Sequence, residues 1–539
     1  MSASRGRPEQ RRRRVEEGAQ FWFWDPSHFP EPVTPAAETF DLPAMARGFA
    51  AAAAELRRPL AGQYVRVERG YVYFGVDVPP TPAALAAGES VYQATVAPRL
   101  ETALRDWNDR YATEARQLTA ALERIAASTI SDRDYAAALD EAIHLRAQQW
   151  RVHDLALVPA MEAAARFTGR YGARFGGALR AQTLLQGFPN RATEASEALE
   201  SLAEAVRLRP ALMDRLIAGA APSLALRSAS SDDEAWFTEA LDTFLAGYGA
   251  RAAAWDVGAP TWRENPAPVL SLLADHLRRP AAEPGAHRRR AAAAREAAVA
   301  AARAGLDPDE QEPFMRALAA AQAYVVVSED HNALIDQQGM AALRAVLLAA
   351  GDRLVRAGRL AQREDAIWLR RPELIDALRD EQPVRGLPGR RRGWHRRYTR
   401  TPPPRTMGRP LPDWAAENPT LTGFFGLGAE PVTSTRGLSG TAASPGTAAG
   451  RACVVRSLDE IDALEPGDIL ICPMTSPAWT PWLGLIAGAI VETGGLLSHT
   501  AILAREYGIP CVTNARDATS LIDHGATVQI DGDAGRVTW

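Results

Sequence analysis

The sequence predicts a multidomain α and α/β protein, in which a large, mainly helical domain is followed by a small β/α domain. Three observations carry this. From about Pro80 to Asp380, apolar residues recur three and four apart between Arg and Glu, as in VAPRLETALRDWNDRYATEARQLTAALERIA, which is the period of amphipathic helices. Beyond Leu438 the texture changes to short β-branched runs, ACVVRS, DILICP, AGAIVE, CVTN and ATVQID, separated by Gly-rich turns, the rhythm of a compact α/β unit. Between them lies QPVRGLPGRRRGWHRRYTRTPPPRTMGRPLP, with nine arginines and no acidic residue.

Taken in order, residues 1–20 read as a disordered, basic N-terminus. FWFWDPSHFPEPVTP (Phe21 to Pro35) reads as extended, docked chain, because proline at that density forbids a helix. YVRVERGYVYFGV reads as a short β segment turning at Arg69-Gly70. With these, residues 21–380 form the helical domain. Residues 381–437 read as an Arg/Pro-rich linker and hinge, the alternative being a basic strip that docks a nucleotide, a phosphate or an acidic surface. Residues 438–539 form the β/α domain, a natural size for one.

Composition excludes several function classes. The 539 residues are 47% hydrophobic and 23% charged, and all 61 Lys+Arg positions are arginine. There is no lysine for a Walker-type phosphate loop or a Schiff base, although arginine can hold a phosphate. Genome base composition is the simplest cause of that bias. A net charge of −4 does not suggest a nucleic-acid binder. Cys453, Cys472 and Cys511 lack CxxC spacing, so neither a disulfide framework nor a metal site is indicated and a reducing cytoplasm fits. The N-terminus runs into VEEGAQ instead of the apolar core of a secretory signal. The apolar stretch Leu483 to Val491 is far below the roughly 20 residues that cross a bilayer.

The most informative segment is Thr493 to Thr513, TGGLLSHTAILAREYGIPCVT. A strand leads into Gly494-Gly495, and a helix begins near Ser498 with His499 in its first turn. Ser498 is an N-cap candidate, and free amides with the positive helix end favour an anion there. A neutral imidazole at that position can attack phosphorus, and Gly494, Gly495, Ser498 and Thr500 would stabilise the phosphoryl charge. A histidine near a helix start is also commonly structural or merely exposed.

GGLLSHTAILAREYGIPCV resembles the phosphohistidine signature of the swivelling domain of the phosphoenolpyruvate-utilising enzymes, the group of phosphoenolpyruvate synthase, pyruvate phosphate dikinase and rifampicin phosphotransferase. The resemblance runs from GTAASPGTAAGRACVV through DILICPMTSPAWTPWL to ATVQIDGDAGRV. FWFWDPSHFPEPVTP, LLQGFPN, FLAGYGARAAAWDVGAPTWRENPAPVL, SEDHNALIDQ and GDRLVRAGRLAQREDAIWL extend it, less strongly, to the substrate domain of rifampicin phosphotransferase. It implies that His499 carries a phosphoryl group between a nucleotide site and an acceptor site. It also implies that residues 381–437 act as a hinge. In these families an ATP-grasp domain stands before the substrate domain, whereas this sequence opens at the substrate domain. The expectation is therefore a separate ATP-grasp partner that binds ATP and Mg²⁺, with no cofactor held stably by this chain.

In SEDHN, Glu329, Asp330 and His331 cannot all face one core, and a buried carboxylate beside an imidazole makes an acid/base pair. His331 would deprotonate an acceptor hydroxyl, with Glu329 or Asp330 orienting the ring; solvated charge on a helix face is the alternative. His153, among apolar residues on a helix, is a pocket residue or a satisfied core histidine. Gln186 and Asn190 in LLQGFPN either grip a ligand or cap the next helix. Arg251 could meet the phosphoryl group with its planar fork, and Trp255 is core or pocket wall. Trp22, Trp24 and His28 are expected to cover one side of the pocket. The function expected is a cytoplasmic phosphotransferase component acting on a hydroxyl or carboxylate of a small molecule. The rivals are a phosphorylation-driven dehydratase or condensing enzyme of secondary metabolism, and a non-catalytic ligand- or partner-binding module.

Overall fold

The computed structural model describes residues 20–26, 28–59, 64–76, 81–218, 231–281, 283–380, 384–399, 401, 403–410, 433–434, 437–475 and 479–539. The N-terminus expected to be disordered lies, apart from Gln20, outside the described residues. The FWFW run forms strand β1 (Phe21–Trp24), followed by helix α1 (Leu42–Leu56) and then by a hairpin of β2 (Tyr64–Glu68) and β3 (Tyr71–Val76). Arg69 and Gly70 both take positive φ, 52° and 86°, the two-residue turn whose twist suits an antiparallel pair.

The helical body is organised on the 44-residue helix α2 (Asp132–Phe175). Ser131 caps it by accepting from the Asp134 amide, and Asp132 and Asp134 place negative charge on its positive end. Helices α3 (Arg191–Arg207), α4 (Ala267–Arg278) and α5 (Ala286–Ala304) follow. Helix α6 (Pro308–His331) starts from a reciprocal cap between Asp307 and Glu310 with Pro308 in its first turn. It runs without a break through a π-helical turn, Asn332–Gln337, into α7 (Gln338–Arg356). Among the described residues, no helix is long and apolar enough to cross a membrane.

The segment expected as an irregular linker contains helix α8 (Leu387–Thr399) and strand β4 (Thr406–Gly408). β4 pairs with β1 and completes a four-stranded sheet, β2-β3-β1-β4. Two of the arginines there are held by the helical body, while Arg385, Arg390, Arg396, Arg397, Arg405 and Arg409 are exposed. Arg391 binds the Glu373 carboxylate and the Trp368 carbonyl, and Arg392 binds Asp365 at 2.6 Å. The acidic surface that this strip docks on is the chain's own, so the helical unit extends to about Gly408; residues 411–432 lie outside the described residues.

The C-terminal unit is a nine-stranded sheet that begins with β5 (Thr433–Ser434), β6 (Gly437–Ser439), β7 (Thr441–Ser444), β8 (Thr447–Val454) and β9 (Ile469–Cys472). After the short helix α9 (Thr480–Leu483) come β10 (Gly488–Val491), helix α10 (His499–Tyr507), β11 (Cys511–Thr513), β12 (Thr527–Asp531) and β13 (Arg536–Thr538). β8, β9, β10 and β11 pair in parallel, and their continuous apolar runs suit strands covered on both faces. The three cysteines are buried and free.

One apolar layer is shared by the two units. Leu199, Leu270 and Leu273 of the helical body pack in the same buried cluster as Trp479, Trp482, Leu483 and Leu503. Polar bonds cross the same seam. The Tyr324 hydroxyl donates to the Leu497 carbonyl (2.6 Å), the Tyr507 hydroxyl to Ser196 Oγ (2.8 Å) and Arg279 to the Gly484 carbonyl (2.8 Å). The β/α unit is thus seated on the helical unit with α10 turned inward.

Candidate active site

A cavity of about 210 Å³ lies at the seam, with walls drawn from the N-terminal sheet, α1, α2, α6 and the loop before α10. Its sides are aromatic and aliphatic: Phe29, Phe49, Trp150, Leu157, Met161 and Trp255. Polar groups gather at two places.

At the first, His499 opens α10. Ser498 precedes it with extended backbone, φ −71° and ψ 155°, and Gly508 in the left-handed region ends the helix. The amides of the first turn have no intrahelical partners, so they and the helix dipole point at the space beside His499. Gly494 has φ +94°, and a Cβ there would come within 2.9 Å of the Ser498 side chain, so the turn admits only glycine. Gly495 accepts from the Ser498 amide, while Ser498 Oγ is buried without a partner. Thr500 Oγ1 meets Thr475 Oγ1 at 2.6 Å. Behind the turn, buried Arg505 donates to the Leu496 and Ala443 carbonyls and braces the loop; its burial lowers its pKa to about 10.

His499 Nδ1 lies 3.2 Å from the Glu329 carboxylate, and Nε2 lies 3.5 Å from Thr480 Oγ1. A carboxylate only accepts, so Nδ1 is the nitrogen that donates to Glu329, and in the neutral ring Nε2 is the one that bears the lone pair. Glu329 comes from α6 and is 3% exposed.

The second place is the floor. His331 Nε2 lies 3.6 Å from one Asp336 oxygen and His153 Nε2 lies 3.7 Å from the other. His331 Nδ1 donates to the Val327 carbonyl (2.8 Å), and burial, then the charge of His153, pushes its pKa well down, so the ring is neutral. Burial raises Asp336 to about 6. Nearby, His28 meets Asp25 at 2.7 Å and packs edge-on against Trp255.

The π turn creates this floor. In a turn closed by i→i+5 bonds, residues five apart come to overlie, which brings Asp336 under His331. Buried Arg146 holds the turn by donating to the Ile335 carbonyl (2.7 Å), Gln149 and Asp41. Gly339 permits this, because a Cβ there would lie 2.5 Å from both Arg146 Nη1 and Gln149 Oε1. Gly339→Ala is expected to destabilise the chain by about 1–3 kcal/mol through overpacking, read as a lower denaturant midpoint at unchanged slope.

Of the residues singled out by sequence, the cavity collects His499, Glu329, His331, His153, Trp255, Gly494, Ser498, Thr500 and His28. Six others are placed elsewhere. Asp330 points off the opposite side of α6, where it accepts from the Arg191 amide. Asn190 caps α3, its Oδ1 accepting from Ala192 and Thr193, and Gln186 reaches the Ala291 carbonyl. Arg251 is 4% exposed and spends its fork on the Tyr248 and Arg191 carbonyls, burial lowering its pKa to about 10. Trp22 packs with Tyr71 and Tyr73, and Trp24 against that same cluster, away from the cavity. Glu329 faces His499 and not His331. Asp336, Asp25, Arg58, Asp154 and Thr475 line the cavity and were not anticipated.

The cavity does not fit a nucleotide. Its charged side chains are the carboxylates Asp25, Asp154, Glu329 and Asp336, which oppose a polyanion, and its guanidinium, Arg58, is bound to Asp154 at 3.1 Å.

The family description "PEP-utilising enzyme, mobile domain" matches residues 464–535, which include His499, and "Rifampicin phosphotransferase fourth domain" matches 156–329, ending on Glu329. A chondramide synthase of Chondromyces crocatus is 30% identical over 97% of this chain and 14% of its own length. A rifampicin phosphotransferase of a Streptomyces species is 34% identical over 56% of this chain and 34% of its own length. A prodigiosin synthesizing transferase of Serratia marcescens is 45% identical over 19% of this chain and 11% of its own. The chain spans a third or less of the length of these relatives.

Proposed function

For a chain of the phosphoenolpyruvate-utilising enzyme group, with the mobile domain behind a rifampicin phosphotransferase fourth domain, we propose that it transfers a phosphoryl group from His499 to an acceptor bound in the seam cavity. The observation that carries this is the His499–Glu329 pair, in which a histidine of the C-terminal unit enters a cavity of the helical unit with Nδ1 on the carboxylate and Nε2 turned away from it. In the first half-reaction, Nε2 attacks the phosphorus of a donor, forming an N–P bond as the donor's P–O bond breaks. In the second, an acceptor oxygen attacks that phosphorus in line and the N–P bond breaks. The imidazole leaves neutral because its other proton already sits on Nδ1, facing Glu329. The acceptor's proton passes to the His331–Asp336 side of the cavity. Ser498 Oγ and the first-turn amides of α10 would stabilise charge on the phosphoryl oxygens.

ATP with Mg²⁺, held by an ATP-grasp unit on a separate polypeptide, is the donor in this reading, since the chain has no lysine and the cavity does not fit a nucleotide. The acceptor is a small molecule with an apolar body and a hydroxyl or carboxylate, matching walls of Phe, Trp and Met. A second outcome keeps the same chemistry, with phosphate only activating the oxygen for condensation or loss of water. The names of the chondramide and prodigiosin relatives favour it.

The test is to incubate the chain with ATP carrying ³²P at the β and, separately, the γ phosphate, together with any ATP-grasp protein encoded beside it, expecting an acid-labile, base-stable label at His499 from one of the two. No label there with an active ATP-grasp partner refutes the phosphocarrier role.

Transfer between two sites requires the seam to open, and Glu506 supplies a pH-dependent term. Its Oε1 accepts from the Gly187 amide across the seam (2.7 Å), Oε2 has no partner, and burial raises its pKa to about 7 from 4.5. The seated state therefore holds the proton more tightly, so its contribution to seating is full below pH 4.5 and is lost as pH rises through about 7. Hydrogen exchange along α10 should speed up across that window, and Glu506→Gln should flatten the dependence.

A further inference from the structure

The floor of the cavity has the geometry of a metal site more than of a hydrogen-bonded triad. The 3.6 and 3.7 Å separations between the two Nε2 atoms and the Asp336 oxygens exceed hydrogen-bond range, which ends near about 3.2 Å. An ion bound at about 2.0–2.2 Å sets its ligands roughly 3–3.5 Å apart, close to these values. All the candidate ligand atoms lie within 4.8 Å of one another. Asp336 is 3% exposed and neither of its oxygens has a hydrogen-bond partner. A carboxylate so desolvated requires a cation or a donor.

The outer nitrogens point the same way. His331 Nδ1 is committed to the Val327 carbonyl, and His153 Nδ1 lies 3.4 Å from Asp154, which Arg58 in turn holds. The His331 ring thus turns Nδ1 outward to an acceptor and Nε2 inward to Asp336, the arrangement that orients a histidine ligand, while His153 turns Nε2 to Asp336 with its Nδ1 beyond hydrogen-bond range of Asp154.

We propose that His153, His331 and Asp336 bind a divalent transition-metal ion of the Zn²⁺ class. Two imidazoles and one carboxylate favour Zn²⁺, Mn²⁺ or Fe²⁺ over Mg²⁺, which prefers oxygen. Three protein ligands leave at least one coordination position toward the cavity they line. An acceptor carboxylate would be positioned by coordination there, and an acceptor hydroxyl would lose its proton to solvent water on coordination, with the ion in place of the imidazole lone pair. That use of the ion rests on the cavity being the acceptor site; its occupancy does not.

The test is titration of the metal-stripped full-length chain with Co²⁺ and then Zn²⁺. One equivalent of Co²⁺ is expected to produce visible d–d absorption that Zn²⁺ abolishes, with Mg²⁺ in excess failing to compete. Asp336→Asn and His153→Ala should each weaken binding by at least about 10²-fold. His499→Ala, at the other end of the cavity, should bind one equivalent normally. Circular dichroism and thermal unfolding of the stripped variants separate loss of the site from loss of fold, and His153→Gln serves if Asp336→Asn does not fold. Failure of the wild-type chain to bind Co²⁺ or Zn²⁺ stoichiometrically, unchanged affinity in the folded variants, or preference for Mg²⁺ overturns the proposal. Metal binding without a His499 label would refute the phosphocarrier role alone, and a label without metal binding would refute the ion alone.

Discussion

A His499→Ala chain is expected to lose phosphoryl transfer by at least about 10⁴-fold while still binding its acceptor. In the proposed reaction the imidazole is the group on which transfer is split into two half-reactions, and no neighbour offers a replacement. Thr480, Ser498 and Thr500 offer hydroxyls of high pKa, and His331 sits at the floor with Nδ1 already committed. The side chain is not a major packing element either: it is 16% exposed and contacts Glu329 and Thr480 through its nitrogens. Stability and acceptor affinity should stay near wild type, the latter read as quenching of Trp150 and Trp255, which line the cavity. Turnover within tenfold of wild type would refute the mechanism, whereas joint loss of acceptor binding and turnover would point to a structural histidine.

Periodicity and turn chemistry in the sequence disclose the element order, because amphipathic helices and buried parallel strands write their burial directly into residue spacing. His499 stands out for a local reason, a glycine turn and a capped helix start in one segment. What spacing cannot disclose is the partner of each polar group. Glu329 and His331 are two residues apart on α6, yet one faces the mobile domain and the other the floor, while Asp330 between them caps nothing in the cavity. Asp336 is hidden for a sharper reason: five residues after His331, it would lie off that face of a regular α-helix, and only the π turn brings the two together. Asn190 and Arg251 are polar groups that the fold uses on backbone amides and carbonyls, a demand invisible until the chain path is known. In the Arg-rich segment, too, the acidic partners of Arg391 and Arg392, Glu373 and Asp365, lie earlier in the chain and are not legible from the run itself.

Glu329→Gln separates the two half-reactions. In the seated state His499 Nδ1 lies on the Glu329 carboxylate, so in the proposed reaction the phosphorylated ring would keep a proton on that nitrogen and depart as neutral imidazole. A glutamine amide can instead donate to Nδ1, which favours the other tautomer and removes the drive for a neutral leaving group. Loss of such an orienting carboxylate costs about 10²–10⁴-fold. Glu329 belongs to the helical domain, so it can act on His499 only while the mobile domain is seated there. Phosphorylation by a donor at a different docking position should therefore proceed near the wild-type rate. A pulse of ³²P-ATP, labelled in the phosphate that His499 accepts, with the ATP-grasp partner should label Glu329→Gln normally, and a chase with acceptor should discharge the label at least about 10²-fold more slowly. Equal slowing of both steps would mean that labelling and discharge occur at one site, and the movement of His499 between two sites would then have to be abandoned.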